Sequence, residues 1–380
     1  MPNTYTVACY YFPNYHIDPR NERDHGPGWT EWALVKRAEP RFPGHRQPRV
    51  PVWGYEDESD PLVMAKKLAA AADHGIDAFI FDWYWYNDGP FLERGLEQGF
   101  LAAPNRQRMK FSLMWANHDW VDIHPAKVTA TLAEGRVLYP GAVTRQTFDT
   151  LTDYVIERYF TQPTYWLLDG CPYFSIYELH KLLESFGGVE PTRKALQAFR
   201  AKVKQAGFPD LHLNAVIWSV PILPGERGAS NAAELLKTLG FDSSTSYVWV
   251  HHGALDTFPE SDYNGALERY LAYWTQAESE FDLPYFPNVT MGWDSSPRTV
   301  QSDVYINAGY PFTPLLADNT AENFKAALAA VKARLDQRTN APKILNINAW
   351  NEWTEGSYLE PDTAYGLGYL EAIREIFGEV

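Results

Sequence analysis

Short β-rich segments alternate with amphipathic helical segments along the chain, and this alternation constrains the fold more than any other feature. Apolar runs of strand length occur at residues 4–12, 76–85, 110–116, 172–177, 211–218, 241–249, 283–289 and 343–350. Segments with an apolar period of about 3.6 residues lie at 61–74, 91–102, 147–160, 191–206, 231–239, 262–281, 321–337 and 366–377. Eight such pairs predict a parallel α/β sheet whose natural closure is a (β/α)8 TIM barrel.

A doubly wound open sheet is the alternative closure, but no glycine-rich phosphate fingerprint follows an early strand. A chain of 380 residues could hold two domains, yet α/β barrels reach this size as one. We therefore predict a single catalytic barrel domain over residues 1–380. The strand-to-helix connections are the long ones and would form the C-terminal active face of the barrel; they lie at 13–59, 117–146, 219–229, 250–261 and 290–319.

Charge and cysteine content argue against several functional classes. The formal net charge is −15 and the Lys and Arg residues are scattered, so we expect no nucleic-acid partner. Cys9 and Cys171 are too few for a disulfide framework or a cysteine-rich zinc site. The sequence contains no apolar run long enough to span a bilayer and begins without a signal-peptide pattern. We therefore expect a cytoplasmic protein without a membrane partner, a removed signal peptide being the alternative.

Aromatic residues make up 15% of the chain, including 14 Trp and 23 Tyr. Phe would fill a core more simply, because buried Trp N–H and Tyr O–H groups need hydrogen-bond partners. An excess of Trp and Tyr is typical of surfaces that hold flat, half-apolar ligands such as sugar rings. An aromatic-rich core is the alternative interpretation.

The stretch AWNEWTEGSYLEPD follows the eighth predicted strand and so enters the C-terminal face. Its Glu352 and Glu355 are three residues apart, and in one helical turn their side chains point the same way. Two carboxyl groups in a half-apolar pocket push each other's pKa values apart, which supplies the acid and the base that cleavage of a glycosidic bond needs. An exposed helix start is the alternative, but it does not explain the two interleaved tryptophans.

Other residues near the ends of predicted strands are candidates for sugar contacts. Asp82 either contacts a ligand or is a buried carboxyl group that fixes loops. His118 and Asp119 could bind sugar hydroxyls, ligate a metal or pack structurally, although no partner with HExxH spacing accompanies them. One of the adjacent His251 and His252 can face the pocket. The predicted substrate-binding set is Tyr11, Asp82, Trp83, Trp85, Asn117, His118, Asp119, Trp218, His252, Trp293 and Asn351.

A set of ordered segments between residue 8 and about residue 372 carries a family resemblance. They read ACYYFPNYH, GWTEWALVKRAEPRFPGHRQPRVP, HGIDAFIFDWYWYN, LMWANHDW, GWDSSPR, INAWNEWTEGSYLEPD and AYGLGYLEA. In these segments the chain resembles the WbsX-type domain proteins, which are glycoside hydrolase family 99-like. The resemblance implies a (β/α)8 barrel.

By the same resemblance, the chain would be a retaining glycoside hydrolase acting on an α-linked sugar of manno configuration, mannose or rhamnose. In the endo-α-mannosidases of family 99, the first Glu of NEW-x-EG is the base toward the sugar's 2-hydroxyl and the second is the general acid. This implies Glu352 as base, Glu355 as acid and a 1,2-anhydro sugar intermediate. Many relatives read WANENW where this chain reads WANHDW, so His118 and Asp119 depart from that pattern. The expected partner is an oligosaccharide or polysaccharide, with no metal, nucleotide or organic cofactor.

Two other classes remain open. WbsX-type proteins have also been labelled glycosyltransferases of polysaccharide assembly, but such an enzyme needs a nucleotide or lipid-diphosphate site, and the sequence has neither a glycine-rich phosphate loop nor a basic cluster. A non-catalytic carbohydrate-binding barrel would keep the aromatic residues without needing paired acids. Glu31, in the WTEW segment, either lines the pocket or anchors the long first loop.

Overall fold

Parallel strands occupy eight positions around a barrel in the computed structural model, which describes residues 5–129, 136–228, 231–339 and 342–378. Residue 4 of the first predicted strand and parts of the predicted loops 117–146 and 219–229 lie outside these ranges. The strands are β1 (Tyr5–Tyr11), β2 (Ala78–Tyr86), β3 (Lys110–Trp115), β4 (Cys171–Ile176), β5 (His212–Val216), β6 (Ser243–Thr245), β7 in two segments (Tyr285–Phe286 and Asn288–Thr290) and β8 (Lys343–Asn348).

The seventh strand is interrupted at Pro287, which has no N–H to give to a sheet. Its first segment pairs with β6, where Thr245 lies opposite Phe286. Its second segment pairs with β8, and β8 pairs in turn with β1. Nine parallel strand segments thus form a nearly closed barrel of eight strand positions, which confirms the predicted (β/α)8 fold.

Helices separate the strands where the apolar periodicity predicts them. They are α1 (Pro61–Asp73), α2 (Gly95–Phe100, a π-helix), α3 (Arg145–Val155, continued by the π-helical Ile156–Phe160), α4 (Val189–Gln205), α5 (Ala232–Leu239), α6 (Tyr263–Glu280), α7 (Ala321–Asp336) and α8 (Gly368–Phe377). Side chains of Asp60, Thr144, Asp262 and Thr320 accept backbone N–H groups at the starts of four of these helices, a local signal for where a helix begins. None of the helices in the described ranges is both long and apolar enough to cross a membrane.

The long connections contain further short elements. Additional helices are Pro19–His25, Trp32–Arg37 and Leu179–Phe186, with 3-10 turns at Arg106–Arg108, Trp249–His252, Ser296–Arg298 and Trp353–Glu355. Minor strands are Gly89–Phe91, Trp120–Val121, Val137–Tyr139, Leu167–Leu168, Glu260–Asp262, Leu315–Ala317, Asn351–Glu352 and Ser357–Tyr358. They pair locally or along the edge of the barrel.

Most of the aromatic excess lies in the core. Twelve of the 14 tryptophans are buried, Trp29 and Trp53 being half-buried. Where a buried indole needs a partner, the fold often supplies a backbone carbonyl: the Nε1 of Trp249 donates to the carbonyl of Asn288 at 3.0 Å. The composition is therefore explained mainly by an aromatic-rich core, the alternative to a sugar-binding surface.

Candidate active site

A cavity opens at the C-terminal ends of the barrel strands, and its empty space is about 660 Å³ when the open solvent at its mouth is included. Each strand, or the loop that follows it, contributes to the lining; one residue from each in chain order is Phe12, Asp82, His118, Tyr177, Leu223, Tyr247, Trp293 and Glu352. This end of the barrel is where (β/α)8 enzymes place their active sites. Across the ranges that the structure describes, no group of three or more His, Cys, Asp or Glu side chains is arranged to hold a metal ion.

The chain after β8 presents two glutamates to this cavity. Asn351–Glu352 pairs antiparallel with Ser357–Tyr358, and Trp353–Glu355 forms a 3-10 turn between them. Gly356 closes the turn at φ 65°, and a Cβ there would come within 2.7 Å of the Asp294 side chain, so glycine is required. Glu352 and Glu355 are both buried and both line the cavity. The predicted single turn that brings the two carboxyl groups to one place is present.

Arg298 binds both members of the acid pair. Its Nη1 donates to Glu355, and its Nη2 lies 3.7 Å from Oε1 of Glu352. The hydroxyl of Tyr310 donates to the same oxygen of Glu355 at 2.6 Å. On the other side, Nε and Nη2 of Arg298 each lie 2.9 Å from Oε1 of Glu31. One buried guanidinium therefore serves three buried carboxyl groups.

This arrangement sets the protonation of the pair. Burial raises the pKa of Glu352 well above its usual range, and the charge of Glu355 and a hydrogen bond to it add to the effect. Burial also opposes ionisation of Glu31, but the positive charge of Arg298 and a hydrogen bond from Thr354 outweigh it and lower the pKa of Glu31. Within the pair, burial therefore favours the protonated form of Glu352.

Asp82, at the carboxyl-terminal part of β2, is a further acid of the cavity. Its Oδ2 accepts a hydrogen bond from the Tyr247 hydroxyl at 2.8 Å, whereas its buried Oδ1 has no partner. Burial raises the pKa of Asp82 well above its usual range, although the bond from Tyr247 acts in the opposite direction. A buried carboxyl oxygen without a partner is costly unless a ligand supplies one.

The histidines of the cavity are neutral. Burial lowers the pKa of His118 and lowers those of His124 and His251 to about 3. The Nδ1 of His118 lies 2.9 Å from the carbonyl of Asp119, so this nitrogen must carry the hydrogen and Nε2 is the acceptor. The Asp119 carboxylate itself binds the N–H of Gly141 and the ammonium of Lys181.

The two tryptophans of the AWNEWTEGSYLEPD stretch do not line the cavity. Trp350 and Trp353 are fully buried, and their indole nitrogens donate to the two oxygens of Glu360 at 3.0 and 2.7 Å. Lys67 from α1 pairs with the same carboxylate at 2.6 Å. The third glutamate and the two indoles therefore form one buried network that fixes the loop carrying the acid pair.

Six predicted site residues line the cavity together: Asp82, His118, Asp119, Trp293, Glu352 and Glu355. The rest lie elsewhere. Trp83 and Trp85 stack on each other at 5.4 Å and pack against Tyr159 and Tyr154, which belong to the helical layer. Strand side chains alternate between the two faces, so these two point away from the barrel axis while Asp82 points in.

Tyr11 and Asn351 support the first loop rather than the cavity. The Tyr11 hydroxyl donates to Glu58 at 2.9 Å. The side-chain amide of Asn351 accepts from the backbone N–H of Phe12 and donates to its carbonyl, both at 2.8 Å. Both residues therefore support the first loop, and their predicted contact with substrate stays a prediction.

Asn117, Trp218 and His252 are also outside the lining. Asn117 pairs with both backbone groups of Glu178 at 2.8 Å. Trp218 packs on the cavity residue Tyr177 from outside. His252 stacks on Tyr273 with ring centroids 3.6 Å apart, and it is the neighbouring His251 that reaches the cavity. For these three residues as well, the predicted contact with substrate stays a prediction.

Sequence reasoning missed Arg298 and Tyr310, the partners of the acid pair. Arg298 is the last residue of the GWDSSPR segment, so the resemblance contained a signal for it. Tyr310 had no such signal, because only the fold brings its hydroxyl within hydrogen-bond distance of Glu355. Glu31, left open between two roles, binds Arg298 and accepts from Asn14 at 2.5 Å. It supports the site from the first loop and is not part of the cavity lining.

The fold and this site define a (β/α)8 barrel protein with a buried acid pair at its C-terminal face. The family described as Glycosyltransferase WbsX matches residues 7–373, and the chain belongs to that family. A relative at 29% identity is the "Uncharacterized protein WxcX" of Xanthomonas campestris pv. campestris (strain B100), in a match that covers 97% of this chain and 49% of the relative. The chain thus spans about half the length of the curated relatives it matches.

Solved structures share the fold at low sequence identity. The GH99 endo-alpha-mannosidase from Bacteroides thetaiotaomicron is similar with a TM-score of 0.57 and 14% identity, over 98% of this chain and 96% of that one. A "Glycoside hydrolase-like protein" is similar with a TM-score of 0.59 and 14% identity, over 99% of this chain and 94% of that one. A beta-glucosidase from Thermotoga maritima in complex with castanospermine is similar with a TM-score of 0.50 and 12% identity, over 100% of this chain and 99% of that one. The predicted WbsX-type, family 99-like character and the barrel are confirmed.

Proposed function

We propose that this protein hydrolyses an α-linked sugar of manno configuration, mannose or rhamnose, in an oligosaccharide or polysaccharide, and that residues 1–380 act as one catalytic domain. The observation that carries the proposal is the buried pair Glu352 and Glu355, which shares a site with Arg298 at the C-terminal face. Two carboxyl groups of different protonation are what glycosidic bond cleavage uses. The fold shared with an endo-alpha-mannosidase supports the choice of substrate.

In the proposed reaction Glu355 protonates the leaving oxygen and Glu352 takes the proton of the sugar's 2-hydroxyl. That oxygen attacks the anomeric carbon, and water later opens the 1,2-anhydro sugar with net retention. Burial favours the protonated form of Glu352, so the proposed reaction requires the proton of the pair to pass to Glu355 before the chemical step. A 2-hydroxyl donating to Glu352 favours this transfer, because a hydrogen bond to the charged form lowers a carboxyl pKa. The chemistry requires no metal or organic cofactor.

The other lining groups have roles that follow from their hydrogen-bonding capacity. Asp82 offers an unpartnered oxygen to a sugar hydroxyl, and the neutral His118 offers Nε2 as an acceptor. Trp293 supplies an apolar ring surface beside the acid pair. Arg298 stays ionised because three carboxyl groups surround it, and it stabilises whichever of the pair carries the negative charge.

The deciding experiment uses matched substrates with different leaving groups. We expect hydrolysis of α-mannosides or α-rhamnosides to give the retained anomer first, as seen by NMR. Glu355→Gln should be rescued by an activated phenolate leaving group, whereas Glu352→Gln should not, because only the acid is bypassed. Rescue of Glu352→Gln alone would exchange the two roles, and an inverted product would reject the mechanism.

Incubation with an activated 2-fluoro glycoside separates the proposed mechanism from ordinary double displacement. A 2-fluoro sugar has no 2-hydroxyl, so it should bind without turnover and leave Glu352 unmodified in mass spectrometry. A stable glycosyl ester on Glu352 would restore the double displacement, in which the second carboxylate attacks the anomeric carbon directly.

A glycosyltransferase is the second candidate, because the family's description names that activity. A transferase would need positive groups for a diphosphate leaving group. Among the cavity-lining residues that the structure describes, Arg298 is the cationic side chain, and Glu31 and Glu355 already bind it. Release of nucleotide from an activated sugar, with no hydrolysis of α-glycosides, would favour the transferase.

A further inference from the structure

One side of the cavity is an aliphatic wall, formed by Val121, Ile123, Ile222 and Leu223. The first two follow β3 and are buried, whereas the other two follow β5 and are half-buried. The two loops meet, because a Cβ built on Gly225 would lie 3.4 Å from the Asp119 carboxylate. Branched aliphatic side chains from two loops therefore face the same space as the acid pair.

The wall is held in place by Glu226. Its Oε2 accepts the backbone N–H groups of Ile222 and Leu223 at 2.7 and 2.8 Å, and its Oε1 accepts the Tyr177 hydroxyl at 2.6 Å. Glu226 is itself buried. Three hydrogen bonds to one buried carboxyl group fix the loop that carries Ile222 and Leu223. These two apolar side chains are therefore a defined part of the cavity surface.

Two polar side chains of the cavity lining beside these loops are already engaged. The hydroxyl of Tyr177 donates to Glu226, and the two oxygens of Asp119 bind the N–H of Gly141 and the ammonium of Lys181. Buried lining atoms without partners belong to Asp82, Glu352, His124 and His251. Sugar hydroxyls can therefore bond to carboxyl oxygens and histidine nitrogens, whereas the four side chains of the wall offer only an apolar surface.

We propose that the aliphatic wall receives the C6 methyl group of a 6-deoxyhexose, so that the substrate is a rhamnoside rather than a mannoside. This rests on the proposed function and narrows its choice of sugar. In hexopyranoses of manno configuration the 6-deoxy and 6-hydroxy forms differ only at C6. A methyl group on this wall gains apolar burial, whereas a hydroxyl there loses water without gaining a partner from the four aliphatic side chains.

The expected discrimination is about 10- to 100-fold, the range in which apolar pockets reject an added hydroxyl group. The ratio of the two dissociation constants is measured by calorimetric titration of the wild-type protein with methyl α-rhamnoside and methyl α-mannoside. The comparison is made once with both sugars of the D series and once with both of the L series. We expect the rhamnoside of at least one pair to bind at least tenfold more tightly. A ratio below tenfold in both pairs, or no saturable binding by any of the four, would overturn the proposal.

Variants locate the preference on the wall. Leu223→Asn, with Ile222→Asn as a second variant in case one misfolds, should reduce the ratio at least threefold. Val220→Asn is the matched control, because Val220 is on the same loop, is 39% exposed and lies outside the lining. An unchanged ratio in the folded wall variant, or an equal loss in the control, would refute the role of the wall.

The same titrations separate this proposal from the hydrolase proposal. A rhamnoside preference without hydrolysis of any α-glycoside would reject the hydrolase and leave the methyl site standing. Hydrolysis of mannosides as fast as rhamnosides, without a binding preference, would reject the methyl site alone.

Discussion

Replacing Arg298 by Met tests whether one guanidinium organises the acidic centre. Methionine has a similar length but no charge, so Glu31 and Glu355 would lose their bound cation. Removing one partner of a buried ion pair costs about 3–5 kcal/mol, because the remaining charge is left uncompensated. We expect a loss of this size in the free energy of unfolding at pH 8.

The pH dependence of that loss is the sharper test. In the wild type Arg298 lowers the pKa of Glu31, and the stability gained this way is present above pH 4.5 and lost as the pH falls below it. In Arg298→Met the hydrogen bond from Thr354 remains, but the guanidinium no longer offsets burial. The pKa of Glu31 should therefore rise, and ionisation of Glu31 as the pH rises should then cost stability. The variant should therefore be closer to wild type at pH 5 than at pH 8, as denaturant unfolding at both values measures.

Arg49→Met is the matched control, since Arg49 is also buried and lies 3.6 Å from Asp294. It should destabilise the protein while leaving the pH profile of glycoside cleavage in its normal position, whereas Arg298→Met should shift that profile. Equal destabilisation of Arg298→Met at pH 5 and pH 8 would refute the electrostatic argument. An identical pH profile in the two variants would refute the link to the acid pair.

Further perturbations test other parts of the site. Glu355→Gln should reduce turnover of a substrate with a poor leaving group by about 10²–10⁴-fold and of an activated aryl glycoside by less; equal losses would count against the acid role. Glu360→Gln should destabilise the fold by about 3–5 kcal/mol in denaturant unfolding, because an amide cannot accept from two indoles while it faces Lys67; the exposed Glu371→Gln is its control and should be neutral. Burial raises the pKa of Glu226 to about 7, so its stabilising effect is complete below pH 4.5 and is lost as the pH rises through 7. Glu226→Gln should remove about 1–3 kcal/mol of that dependence, and an unchanged stability profile would contradict it.

The sequence determined the barrel because each of its signals is local. A run such as residues 76–85 identifies a strand through its β-rich apolar residues, and α1 is indicated by apolar spacing and by Asp60 and Pro61 at its start. The acid pair could also be predicted from the sequence, since Glu352 and Glu355 are three residues apart in one turn. Neither inference required knowledge of distant contacts.

Only the tertiary structure decided which side chains meet. Trp83 and Trp85 come one and three positions after Asp82 in the sequence. Strand alternation nevertheless places both on the outer face of the barrel, where they pack against the helical layer. Trp350 and Trp353 are interleaved with the acid pair in the sequence, but hydrogen bonds to Glu360, which pairs with Lys67, hold them in the core.

The electrostatic centre depended most on the fold. Arg298 lies 54 residues from Glu352 along the chain and 267 from Glu31, and Tyr310 lies 12 residues after Arg298 in the same long loop. Whether a carboxyl group is an acid or a base depends on burial and on charges within a few ångströms, and sequence separation does not report either quantity. The sequence therefore determined the barrel and the position of the acid pair, and the packing of three loops around one buried guanidinium decided the electrostatic environment of that pair.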